Sequence, residues 1–484
     1  MVRLCFVFLA LGMAGAATVG RWLEKTTEFQ LDNGLRVVVL ERASSSSVSL
    51  ALLAKAGWAD DPPGRRGLSR VLESMVEEGG FAFGSKNAAE ERKALANSEA
   101  LADKWEAEAN KPQPDELLAA RLRVDAEQAS ARLTMMADKA TFRHQIENVG
   151  GTLTSSKADA TTTVIRAEMP AAHAEVFFAG MGAWLQDPSW RNYYRHRQEA
   201  ANEAGPVDEQ TRFLNALAAK GFAKHAWGMP DLDTAELQKL RIREVAAFHR
   251  AAFAPGNLVL AVVGSLPASA VRAMVEKHFG SLAAQPAMMH VWTGRDEKPF
   301  TLPAARPGLR VLAMGYPRSP LDSPDDAVLD VIAHVLTEGD DSYLQTKLVQ
   351  TRRVGSVGGA ISYPSPAGGG LLAILAFPVP GGSLEDLQKL IQGAINELAE
   401  KPLPESAILP AKRRFIASEV RLLEDDGSAA DLLARTVASL GSAKSVATGI
   451  QQLEAITPAD VQRVARQYLK PDSAVSVTWV GERR

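Results

Sequence analysis

An internal repeat limits the folds open to this chain more than any other feature. Leu68, Val71, Leu72, Met75 and Val76 fall at i, i+3, i+4, i+7 and i+8, a single apolar face at the helical period. Adding 260 to each position gives Val328, Val331, Ile332, Val335 and Leu336, and Glu78-Gly79 maps onto Glu338-Gly339. A second landmark closes each half: a helix leads through a proline into an apolar strand that stops at glycine. The first copy runs from Val245 and Phe248 through Pro255 to Leu258–Gly264, the second from Val461 and Val464 through Pro471 to Ala474–Gly481. The offset at the prolines is 216 rather than 260, so the first half carries an insertion of 44 residues between the landmarks.

Composition locates that insertion. From Asn87 to Ala140 the chain is rich in Ala, Glu, Arg and Leu, and Lys111-Pro112-Gln113-Pro114 breaks it in the middle. The pattern predicts two antiparallel helices joined by a proline turn, with Leu95, Leu101 and Trp105 facing Leu118, Leu122 and Met136 along a seam. Such a hairpin suits a partner contact or a plain spacer. Glu28–Leu31 and Leu35–Leu40 flank Asp32-Asn33-Gly34, the composition of a type I′ hairpin turn. Val48–Ala54, Arg310–Met314 and Leu371–Phe377 are strands, the first with the look of a buried one. Gly368-Gly369-Gly370 is a turn, because no Lys follows at the spacing of a phosphate loop. The expected fold is α+β: two homologous domains, each a sheet packed with helices, over residues 22–284 and 309–484. A proline-rich linker at 285–308 joins them.

The net charge is −3, the pI about 6.3, and neither hints at a nucleic-acid partner. Arg3, the apolar run Leu4–Met13 and Ala14-Gly15-Ala16 have the form of a secretory signal over residues 1–16. The expectation is an exported protein, periplasmic in location, with an uncleaved membrane anchor as the alternative. The only cysteine, Cys5, lies in that segment, so disulfides and thiol chemistry are not expected in the mature chain.

On the first repeat helix, Arg70, Glu73, Ser74 and Glu77 share the face opposite the apolar one. The ordinary reading is a solvated surface, with Arg70 and Glu73 an i,i+3 pair contributing roughly 0.2–0.5 kcal/mol. The other reading starts from the frame itself. Inverted zinc peptidases carry His-x-x-Glu-His on such a face, two imidazoles for the metal and a carboxylate to activate water. Here the frame reads Arg70-x-x-Glu73-Ser74, and a guanidinium has no lone pair to give a metal.

Taken with the Asp32-Asn33-Gly34-Leu35 hairpin, Gly67-Leu68 before the helix, Gly150-Gly151 before a strand, Lys224-His225-Ala226-Trp227-Gly228 and the two strand endings, the chain resembles the insulinase/pitrilysin family of zinc peptidases, which includes the mitochondrial processing peptidases. The resemblance covers nearly the whole mature chain. It implies a third zinc ligand in a segment like Glu-Arg-x-x-Val-x-x-Glu, matched by His196-Arg197-Gln198-Glu199-Ala200-Ala201-Asn202-Glu203, so Glu203 keeps the ligand place and His196 replaces the first Glu. It also implies an edge strand that holds peptide by strand addition, here Gly150-Gly151-Thr152-Leu153-Thr154-Ser155 with Thr154 in place of an Asn. The substrate-binding Arg and Tyr expected of the second domain are Val349 and Ser356.

No two of the eight histidines lie three or four residues apart, so no helix offers an imidazole pair, and only an assembly of distant groups such as His196, Glu73 and Glu203 remains open to a metal. No cofactor is therefore expected, and no catalytic residue. Arg70 is expected to pair with Glu203 or Glu73 where the ion sat in the resembling enzymes. Two readings from different classes follow: a noncatalytic subunit that pairs with a catalytically active homologous peptidase subunit and helps hold peptide, or an active zinc metalloendopeptidase with an unorthodox metal site. A stand-alone peptide-binding protein is a third.

Overall fold

A computed structural model of the chain describes residues 19–20, 22, 24–136, 141–155, 158–203, 208–222, 225–228, 234–290, 308–359, 361–363 and 369–480. The signal segment 1–16, most of the linker (291–307), Lys224, Ala367-Gly368 and Gly481 lie outside the described residues.

Each half builds one sheet. In the first, β1 (Thr26–Gln30), β2 (Arg36–Glu41), β3 (Ser47–Ala54), β4 (Thr152–Ser155), β5 (Thr163–Pro170) and β6 (Leu258–Gly264) lie in the order β1-β2-β6-β3-β5-β4, all antiparallel except the β2–β6 pair. In the second, β7 (Arg310–Arg318), β8 (Ser356–Val357), β9 (Ile361–Tyr363), β10 (Gly370–Phe377) and β11 (Val475–Val480) give the order β11-β7-β10-β8, with β9 also on β10. The β11-β7-β10 core repeats β6-β3-β5, strand for strand and antiparallel throughout.

The first-half helices are α1 (Leu68–Met75), α2 (Ala88–Ala109), α3 (Glu116–Met136), α4 (Phe142–Asn148), α5 (Glu175–Gln186), α6 (Tyr193–Glu203), α7 (Glu209–Gly221), α8 (Ile242–Ala252) and α9 (Ala268–Phe279), besides a single turn at Thr234–Leu237. The second half supplies α10 (Asp326–Thr337), α11 (Leu384–Glu400), α12 (Glu405–Glu424), α13 (Asp426–Leu440), α14 (Ser445–Ala455) and α15 (Pro458–Tyr468). The five apolar positions of α1 and its immediate C-terminal turn, and the five of α10, are all buried. Gly79 and Gly339, which end these segments, both take a left-handed backbone, with φ 72° and 88°. The repeat therefore extends to the helix stop, where a side chain would be strained.

The two halves exchange helices. One face of the first sheet (Val37, Val39, Leu50, Leu52, Ile165, Leu260) packs on its own α1, α5, α8 and α9. The opposite face (Val38, Leu40, Ala51, Leu53, Val164, Ala261) joins a core built largely of second-half residues, with Ala430, Leu433 and Val437 of α13 among them. In return α7 lays Phe213, Leu214 and Leu217 on Val311, Ala313, Leu371, Ala373 and Trp479 of the second sheet. A strand covered on both faces has no polar side, which is why Val48–Ala54 fails to alternate. Arg42 with Asp426, Arg166 with Asp431 and Arg435 with Asp159 tie the same junction by charge.

The helical hairpin is present as α2 and α3, with Asn87 capping α2 by accepting from the Glu90 N–H. Its seam differs from the expected one. Ser98, Ala102, Ala126, Ala129 and Ser130 are buried between the arms, whereas Leu118 is exposed, because small side chains let the two helices approach closely. The Asp32-Asn33-Gly34 turn also differs. Only Gly34 has positive φ, 99°, and its N–H returns to Leu31 O at 2.9 Å, so the connection is a longer loop with one left-handed residue rather than type I′. Asn33 instead spends its side-chain amide on the carbonyls of Phe279 and Leu282, at 2.7 and 3.3 Å.

Candidate functional site

Helix α1 starts where the chain leaves it no alternative. Gly67 has φ 95°, and a Cβ there would lie 2.2 Å from the Leu237 side chain. The buried Asp61 carboxylate accepts from the N–H groups of Gly67 and Ser69, at 2.6 and 2.9 Å, placing an anion at the helix's positive end. Val71, Leu72 and Met75 then bury the apolar face, which turns Arg70, Glu73, Ser74 and Glu77 toward α6 and the edge strand β4.

These residues line a cleft of about 350 Å³ with Val76, Arg143, Leu153, His196, Glu199, Ala200 and Glu203. The solvated-surface reading of this face fails for Glu73, whose side chain is 5% exposed. Arg70 Nη1 donates to both Glu73 oxygens, at 3.2 and 3.3 Å, and its Nη2 donates to Glu203. One guanidinium thus bridges the two carboxylates across the helices. Glu73 also accepts from the Ala158 N–H at 2.9 Å. Burial pushes the Glu73 carboxyl above its ordinary range, and the Arg70 charge and the hydrogen bonds only partly oppose that. Ser74 turns away, its hydroxyl donating to Val71 O of its own helix at 2.8 Å.

Behind the bridge lies a second polar layer. Glu78 is buried and its Oε1 receives Asn192 Nδ2 at 3.0 Å, Arg195 Nη2 at 3.1 Å and His196 Nε2 at 2.7 Å. Burial works to raise the Glu78 carboxyl, but the hydrogen bonds from His196 and Asn192 outweigh it and hold the group low. Trp190 and Asn192 both have φ 53°, and between them Arg191 turns inward to the buried Glu91 of α2 and to Glu78 O. This left-handed backbone is costly for side-chain-bearing residues, and it aims Arg191 and Asn192 into the layer. His196 therefore meets Glu77 and Glu78, not Glu73 and Glu203. The only hint in the sequence was a His standing where the resembling enzymes have a Glu.

Comparison with known proteins bears on this geometry. Residues 239–415 match the model of the Peptidase M16 inactive domain. The zinc protease PqqE of Helicobacter pylori is 24% identical over 259 residues, covering 50% of this chain and 55% of that protein, and an uncharacterised zinc protease of Mycobacterium leprae is 27% identical over 264 residues, 53% and 58% of the two. The matched stretch spans little more than half the length of these relatives. A protease structure from Helicobacter pylori superposes with a TM-score of 0.72 at 18% identity, over 94% of this chain and 99% of that one; a peptidase M16 inactive domain from Pseudomonas fluorescens gives 0.69 at 17%, over 95% and 99%. The chain resembles the insulinase/pitrilysin peptidases, in sequence over residues 239–415 and in fold over nearly its whole length.

For the family's zinc, the residues present do not fit. Arg70 has no lone pair and fills the space with its own charge, Ser74 is bonded to its own backbone, and Glu203 alone keeps a ligand place. The family's substrate positions are dispersed as well. Thr154 is exposed on β4, the outermost strand of its sheet among the described residues. Arg143 donates to Leu153 O on that strand at 3.0 Å and to Glu77 at 2.6 Å, so the strand's rim is already engaged. Val349 packs on the second-half core and Ser356 opens β8 opposite Phe377; neither lines the cleft.

Proposed function

We propose that this peptidase-like chain hydrolyses no peptide bond and serves as the noncatalytic subunit of an exported peptidase complex, pairing with a catalytically active homologue and helping to hold peptide. The observation that carries the reading is the Arg70 bridge: the guanidinium occupies the place of the ion and holds the carboxylate that would activate water. Zinc is not a cofactor at that position. The cleft wall and the exposed Leu117, Leu118, Val124 and Met135 of α3 are the surfaces offered to peptide and partner. Export to the periplasm rests on the N-terminal segment 1–16.

The test is purification of the full chain from its native cell envelope. The expected result is a stoichiometric complex with a homologous chain carrying an intact His-x-x-Glu-His, and peptide cleavage only by the complex. A solitary chain that cleaves peptide by itself, and loses that activity as Glu73→Gln, overturns the reading.

A further inference from the structure

The layer behind the Arg70 bridge loads its hydrogen bonds unevenly. His196 Nε2 lies 2.7 Å from Glu78 Oε1, while Arg195 Nη2 lies 3.1 Å from that nitrogen and from that oxygen. An imidazole nitrogen carries either one hydrogen or one lone pair. With a hydrogen, it donates to Glu78 and meets the Arg195 N–H donor to donor. With a lone pair, it accepts from Arg195 and faces a carboxylate oxygen acceptor to acceptor. With the hydrogen present, Glu78 Oε1 accepts from His196 and Arg195 side by side, so these two donors and Asn192 crowd one oxygen of the carboxylate. The side chains of Glu78 and His196 are 2% and 1% exposed, yet among the described residues Glu78 Oε2 and His196 Nδ1 have no hydrogen-bond partner. Buried polar groups left in this state are costly unless something further is bound.

Glu77, Glu78 and His196 each offer a ligand atom, and the three atoms lie within 4.8 Å of one another. We propose that they form a divalent metal site, one helical turn from the family's zinc position and independent of it, in which the Arg195 guanidinium is an exchangeable stand-in for the ion. A cation between Nε2 and the two carboxylates takes a lone pair from each of the three. Two carboxylates and one imidazole suit a borderline first-row ion such as zinc; the nitrogen disfavours magnesium and calcium. On the far side of the ring, Nδ1 faces Glu199 Oε2 at 3.5 Å, the carboxylate that commonly orients a metal-bound imidazole. Arg195 can withdraw: its side chain is half exposed, and its Nη1 already donates to Glu199 at 2.9 Å. Glu77 and His196 both line the cleft, which gives the ion a route in.

The ion gains no catalytic base here, since Glu73 stays bound to Arg70 and Ala158. Its effect is to brace α1 against α6. The proposal goes beyond the function given above and is read by binding rather than cleavage, so either can fail alone.

The test is calorimetric titration of the chelator-stripped full chain with zinc, with thermal melting alongside. The expected result is one equivalent bound with micromolar affinity and a raised melting temperature. Glu77→Gln, which keeps the shape of a quarter-exposed side chain, should weaken binding by about tenfold or more. Arg195→Ala should tighten it by about tenfold, by removing the competing cation. Arg70→Ala should leave it within about twofold, since Arg70 bonds to Glu73 and Glu203 rather than to the three ligands. Absence of saturable binding up to about 1 mM zinc in both the wild type and Arg195→Ala overturns the proposal. Binding that survives Glu77→Gln unchanged, or that Glu203→Gln abolishes, also overturns it, because the ion would then sit elsewhere.

Discussion

The two halves place one helix pair in the same way but reverse the charge at its first polar position. With the offsets of 260 and 216, Arg70, Glu73, Ser74 and Glu203 on α1 and α6 correspond to Asp330, Ala333, His334 and Glu419 on α10 and α12. In the first half the cation comes from the helix itself, and Arg70 spans two carboxylates. In the second half the helix supplies the anion, and the cation comes from the strand: Arg318 of β7 reaches Asp326 at 2.9 Å and Asp330 at 2.7 Å. Burial raises Asp330 and Glu419, the latter also through Asp330 beside it, and pushes Asp326 up to about 7. His334 stacks on Phe415, and burial lowers it. The apolar face and the glycine stop are kept in both halves. The polar face is free to change sign, provided that some arginine balances it.

Removing the arginine should therefore damage both halves, but unequally. Arg318→Ala strips the cation from two acids of the second core, where Arg318 and Asp326 are 4% and 5% exposed. A loss of about 3–5 kcal/mol is expected in chemical denaturation at pH 8. The loss should shrink at pH 5, where Asp326 can take up a proton. Arg70→Ala should cost less, about 1–3 kcal/mol, because Glu203 is 56% exposed and can turn to water while Glu73 cannot. Adding Glu73→Gln to Arg70→Ala should recover most of that loss. An unchanged melting curve for Arg70→Ala would remove the bridge's structural role.

The second half should also show a pH dependence of known sign. The folded-state pKa of Asp326, about 7, lies above its ordinary value, so folding favours the neutral acid. The associated stability is present below about pH 4 and is lost as pH rises through 7. Asp326→Asn should flatten this decline and exceed the wild type at pH 8, by on the order of 1–3 kcal/mol. A change of the opposite sign concerns His249, buried against Trp184 and Phe253 and pushed down to about 3. Its stability contribution is present above about pH 6.5 and falls away toward pH 3. Replacing it by Phe should remove about one proton from the acid-unfolding slope.

The repeat, the insertion, the strands and the convergence of Arg70, Glu73 and Glu203 could be seen in the sequence because each rests on local periodicity or on order along the chain. What could not be seen depends on neighbours far away in sequence. Asn33 looks like a turn residue until Phe279 and Leu282 claim its amide. The hairpin's leucines look like a seam, but helix spacing is set by Ala102 and Ala126. The helix exchange leaves a trace only in the failure of β3 to alternate. Glu77 and Glu78 carry no pattern of their own, and their meeting with His196 requires α6 to be placed by a left-handed Trp190 and Asn192, which no spacing announces.

The central claim is that a guanidinium has replaced the catalytic ion. Hydrolysis of an unstructured peptide by the purified wild-type chain, with zinc supplied and Glu73→Gln run in parallel, tests it most directly. Equal background rates for the two proteins are the expected result. Turnover by the wild type that a chelator removes and Glu73→Gln abolishes would contradict it.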